Sequence, residues 1–118
     1  MIAVEVYRDA GGRVRGFRYS GHADFGEHGE DIVCAAVSAI AQTTVLGLMR
    51  HLDVPVDVKQ KPGLLECRLA GGSRAAQEAA ENPAVQALFE TMVLGVREVE
   101  KQYPEHVRLR SKTIRQTR

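Results

Sequence analysis

Apolar side chains recur at every second position from Ile2 to Val6, with Ala3, Glu5 and Tyr7 between and after them, which predicts a half-buried strand. Asp9-Ala10-Gly11-Gly12 supplies a turn, and Val14 to Ser20 reads as the returning strand of a hairpin, with Phe17 and Tyr19 on one face. The period then changes. From about Asp31 to Leu52, the residues Val33, Val37, Ile40, Thr44, Leu48 and Leu52 fall along one side of a helix, and alanines fill much of the rest, so this helix is expected to be central and nearly enclosed. Alternation returns at Val54, Val56 and Val58, with Pro55 marking an edge or a strand start. Lys61-Pro62-Gly63-Leu64 fits a type II turn, and Leu64 to Ala70 makes the paired strand.

Gly71-Gly72-Ser73 ends that strand, with Ser73 a candidate cap for an alanine-rich helical turn or two. Asn82-Pro83 is a strong helix start, because asparagine caps and proline suits the first helical position. Val85, Leu88, Phe89, Met92, Val96 and Val99 then keep the helical period until Pro104, as a core face rather than a cofactor box. Val107 and Leu109 suggest one more short strand. The order β-β-α-β-β-α-β predicts a two-layer α+β fold, a mainly antiparallel sheet with two main helices packed against it.

The chain has 118 residues, enough for one domain with a core that needs no staples, spanning 1–118 with a basic tail from about Ser111. Two cysteines in different contexts make no disulfide framework, which fits a reducing cytoplasm. No secretory signal is visible at Met1-Ile2-Ala3-Val4-Glu5. Gln42, Thr43, Thr44 and Arg50 interrupt the most apolar segment, so no transmembrane span is expected. A net charge of +1 gives no global pull toward nucleic acid.

Chemistry concentrates between Gly21 and Ser38. A glycine-punctuated loop, with Gly21, Gly26 and Gly29, carries His22 and His28 and then opens the first helix near Cys34. With Asp31 as N-cap, Cys34 would be the third helical residue, where unpaired amides favour a thiolate. Lowering a thiol pKa by two units requires about 2.7 kcal/mol, and a helix terminus supplies about 0.3–1 kcal/mol, so an imidazolium partner is needed as well. An Asp31 carboxylate about 6 Å from the sulfur would oppose ionisation by about 0.7 kcal/mol in water. Considered alone, a free cysteine is more often a small core hydrophobe, and Cys67 in Leu65-Glu66-Cys67-Arg68-Leu69 fits that description. Cys34 has a polar, histidine-bearing neighbourhood instead. A metal site from His22, His28 and Cys34, with Asp24 as a further ligand, ranks well below a nucleophile because the spacing matches no zinc pattern.

The run Gly21-His22-Ala23 … Gly29 … Asp31-Ile32-Val33-Cys34-Ala35 … Ser38 resembles the signature of the ribosomal-processing cysteine proteases, the Prp family, and the element order resembles theirs as far as about Leu109. The resemblance implies a cytoplasmic cysteine endopeptidase that removes the N-terminal extension of a large-subunit ribosomal protein, acts without metal or organic cofactor, does not engage a membrane and forms a homodimer. Carried over, Cys34 is the nucleophile and His22 the general base. Asp31 is the matched acidic position, capping or orienting, and Ser38 a hydrogen-bonding neighbour. Gly21 and Gly29 match the family's loop positions, and the freedom of Gly21, Gly26 and Gly29 makes this substrate loop one expected to be mobile until a peptide binds. The alternative from another class is a non-enzymatic ribosome- or RNA-associated module, with Arg108, Arg110, Lys112, Arg115 and Arg118 meeting phosphates. A solvated, frayed tail is the commoner fate of such a segment.

Overall fold

Strands β1 (Ile2–Arg8) and β2 (Val14–Ser20) form the first hairpin. Helix α1 (His28–Leu46) runs into a single π-helical turn (Gly47–His51), followed by the hairpin of β3 (Val56–Lys61) and β4 (Leu64–Leu69). Helices α2 (Gly72–Glu81) and α3 (Pro83–Gln102) then lead to β5 (Val107–Thr113). The computed structural model describes residues 1–21 and 28–115, with the backbone alone at 28–30.

The strands lie in one five-stranded sheet, in the order β3-β4-β2-β1-β5. Every pairing is antiparallel except that of β1 with β5, which runs parallel from Ile2↔Val107 to Arg8↔Thr113. The helices form the second layer. Ile2, Val4 and Val6 from β1, Phe17 from β2, and Leu65 and Cys67 from β4 are buried with Val33, Val37 and Leu48 from the α1 run and Val85, Phe89, Met92 and Val96 from α3. Phe17 meets Phe89 edge-on, centroids 6.4 Å apart. Each such side chain contributes about 1.5–3 kcal/mol on burial. On the opposite face the Arg68 guanidinium lies 4.3 Å over the Tyr7 ring. The Arg8 side chain ties β1 to α3 through two bonds to Glu90, at 2.7 and 2.9 Å.

The α+β two-layer architecture is as expected, including the Asn82 cap, whose Oδ1 accepts from the Ala84 amide at 2.9 Å. Gly63 takes φ 77° in the β3–β4 turn, a conformation that only glycine adopts at no steric cost. Four expectations need correction. The alanine-rich stretch, expected as a helical turn or two, is a ten-residue helix, α2, that accompanies the two main helices. Its signal was weak because alanines such as Ala76, Ala79 and Ala80 alone make its buried stripe. Ser73 is not its cap: Gly71 and Gly72, at φ 87° and 90°, turn the chain so that the helix begins before the serine.

The tail begins later than Ser111, because parallel pairing with β1 holds Ser111–Thr113 in β5, and the Ile114 amide still donates to the Arg8 carbonyl at 2.8 Å. Alternation lapses there because that end of the edge strand is exposed on both faces. Finally, Asp31–His51 is a helical run long and apolar enough, by length and composition, to cross a membrane. Its polar residues do not break it, since the Thr44 hydroxyl donates back to the Ile40 carbonyl at 2.9 Å and Arg50 lies in the closing π turn. One stripe of this run packs into the core, as in a central helix of a globular domain.

Candidate active site

Helix α1 extends back to His28, so Asp31 is an exposed residue of its first turn rather than the N-cap, and Gly29 is helical rather than part of the loop. Cys34 therefore sits in the second turn, where its amide is committed to the helix ladder and is not an unpaired donor. The helix-terminal account of its reactivity does not hold. His22, Asp24 and Gly26 lie outside the described residues, as does the expected mobility of their loop, and so does the His28 side chain.

What the structure brings to Cys34 is Tyr19. The Tyr19 hydroxyl is 2.8 Å from Cys34 Sγ, an inter-layer contact between β2 and α1. Tyr19 is buried, and its backbone is clamped between Val4 on β1 and Leu65 on β4. Burial, together with the adjacent Cys34, pushes its phenol well above the ordinary value, so it keeps its proton. The sequence held a signal for this residue: it shares the inward face with Phe17 two positions before Gly21, and a buried tyrosine hydroxyl needs a partner.

Ser38 lies one turn after Cys34, half-buried, and its Oγ accepts from Gln42 Nε2 at 2.8 Å. Tyr19, Ser38 and Gln42 form one wall of a cleft of about 370 Å³ whose other wall is the Gln60–Leu65 turn. Gly21 is held at the end of this turn, its amide donating to the Gly63 carbonyl at 3.0 Å. A larger cleft of about 660 Å³, lined by Arg15, Arg68, Arg74 and Gln77, shares no residue with it. Cys67 is fully buried between β2 and β3, and burial, helped by the Asp57 carboxylate, pushes its thiol up to about 12. It is structural, as expected.

The family model for cysteine protease Prp matches residues 1–108. The ribosomal processing cysteine protease Prp of Staphylococcus aureus is 29% identical over 115 residues, covering 95% of this chain and all of the relative. A crystal structure of an essential ribosomal processing protease Prp from S. aureus in complex with a substrate peptide superposes with a TM-score of 0.82 at 28% identity, covering 95% of this chain and all of that one. A second S. aureus structure, with a covalently linked product peptide, gives 0.79 at 29% identity over the same shares. With the family model spanning most of the chain, and the substrate-bound structure superposing over 95% of it, the chain belongs to the cysteine protease Prp family and is a hydrolase acting on peptide bonds.

Proposed function

We propose that this protein removes the N-terminal extension of a large-subunit ribosomal protein, with Cys34 as nucleophile and His22 as general base. The observation that carries the assignment is the setting of Cys34: half-buried, hydrogen-bonded to Tyr19, and one turn from Ser38 in the cleft wall. The names of the S. aureus relatives supply the substrate class, and the covalently linked product peptide in one of them accords with a covalent intermediate.

In this mechanism His22 takes the Sγ proton and the thiolate adds to the scissile carbonyl carbon. The C–N bond breaks, and the imidazolium gives its proton to the leaving amine. Water, deprotonated by His22, then attacks the thioester. The C–S bond breaks, the thiolate recovers the proton, and the carboxylate product leaves. No metal or organic cofactor enters the cycle. Gly21, tied to the Gly63 turn, fixes the chain immediately before His22. Asp31, exposed in the first turn, orients or attracts the substrate loop rather than capping the helix.

The functional unit in this proposal is a cytoplasmic homodimer. Ile40, Thr43, Leu88 and Gly95 line a shallow apolar groove between α1 and α3, and Leu94 is 67% exposed on α3. A second copy covering this face would bury it. The RNA-associated alternative draws on Arg108, Arg110 and Lys112, which lie exposed along edge strand β5. Mass spectrometry of the ribosomal protein with its native extension separates the two: wild type shortens it and Cys34→Ala does not. Equal shortening by both would remove Cys34 from the chemistry, while salt-dependent RNA affinity without cleavage would favour the binding module.

A further inference from the structure

We propose that Tyr19 is a positioning residue for the Cys34 sulfur, its hydroxyl donating to Sγ once the thiol has ionised and aiming the sulfur beside the cleft. This rests on the reading of Cys34 as the nucleophile. The need for such a group follows from the helix boundary. Cys34 lies in the second turn of α1 with its amide used in the ladder, so the unpaired helix-end donors that would steady a thiolate are not at this residue.

The geometry supplies a replacement. The hydroxyl is 2.8 Å from the sulfur, and either atom can donate in the neutral state. In the anionic state only the phenol has a proton to give, and hydroxyl donors to anions are among the stronger hydrogen bonds. The raised phenol value keeps that proton in place when the sulfur has lost its own. Position matters as well as charge. A cysteine side chain has three staggered rotamers, and a bond from a buried tyrosine whose backbone is paired on both sides selects one of them. Tyr19 and Ser38 both line the cleft, so the selected rotamer keeps the sulfur next to the space a peptide would occupy.

The test is the pH profile of iodoacetamide alkylation at Cys34, read by mass spectrometry in wild type and Tyr19→Phe, a variant that keeps the ring. The midpoint is expected to rise by about one pH unit, so that alkylation near pH 7 slows about three- to fourfold, the loss of thiolate being partly offset by its greater nucleophilicity. At high pH, where all the sulfur is ionised, the variant should react no more slowly, because a thiolate freed of a donor is the better nucleophile. Cys67 is the internal control for folding and should stay unlabelled in both proteins. An unmoved midpoint, even with a slower plateau, would overturn the proposal. Should Tyr19→Phe expose Cys67, protein carrying 3-fluorotyrosine decides alone: its stronger phenol donor should lower the midpoint, and no shift would overturn the proposal. The nucleophile reading fails separately, through peptide cleavage by Cys34→Ala.

Discussion

The amide of Gly21 donates to the carbonyl of Gly63 at 3.0 Å, which ties the residue before His22 to the turn between β3 and β4. A Cβ on Gly63 would approach the Gly21 carbonyl oxygen to 2.5 Å, and Gly63 already takes φ 77°. Gly63→Ala therefore combines a left-handed conformation, costing about 1–2 kcal/mol, with a backbone clash. The unfolding free energy is expected to fall by about 2 kcal/mol in total, read as a lowered denaturant midpoint. Where the variant remains folded, kcat should fall as well, because Gly21 moves. A Gly63→Ala enzyme with unchanged kcat would disconnect this turn from the placement of His22.

Selective labelling of the two cysteines is the most direct check on the nucleophile. Cys67 is fully buried with its thiol pushed up to about 12, whereas Cys34 is half-buried beside Tyr19. Iodoacetamide at neutral pH should label Cys34 well before Cys67. Comparable labelling of both, or faster labelling of Cys67, would count against Cys34.

Between His22 and His28, the latter the first residue of α1, His22 is expected to carry the proton. His22→Ala should reduce peptide turnover to background, while His28→Ala should keep most of it. Single-turnover cleavage with each variant distinguishes them, and the reverse pattern would exchange their roles.

The strand and helix pattern was largely legible because Ile2-Val4-Val6 and the α3 stripe repeat at clean periods of two and 3.6. What escaped had physical causes. Alanine makes too little contrast to mark α2, and β5 outlasts its own alternation because its last residues rely on backbone pairing with β1. The start of α1 was misplaced for a related reason: glycine and histidine at 28–29 read as loop, yet they are helical. At the site, Cys34 stood out from its neighbours, but Tyr19 did not, because its contact is made across the two layers and has no local spacing.

Acid should loosen the fold through two carboxylates. Burial raises the Asp9 carboxyl, but the amides of Arg13 and Gly11 and the Arg15 side chain outweigh it and hold the value below normal. Hydrogen bonds from Arg8 lower that of Glu90. A carboxyl depressed in the folded state adds stability above its unfolded value, about 4, and that stability disappears as pH falls through the folded value. Unfolding free energy should therefore be steady near neutrality and decline below about pH 4. Glu90→Gln should cost about 0.5–1 kcal/mol at pH 7, since this pair is partly solvated, and should flatten the acid limb. An acid limb identical to that of wild type would remove Glu90 from the linkage.

The parallel pairing of β1 with β5 joins residues separated by nearly the whole chain. During synthesis, β1, β2, α1 and β4 are all made before Val107, so these parts of the site precede the strand that completes the sheet. Until then the Ile2–Arg8 edge offers unpaired amides and carbonyls to any passing strand. The last strand thus acts as a clasp, and a nascent chain stalled before it carries an open edge along with its nucleophile.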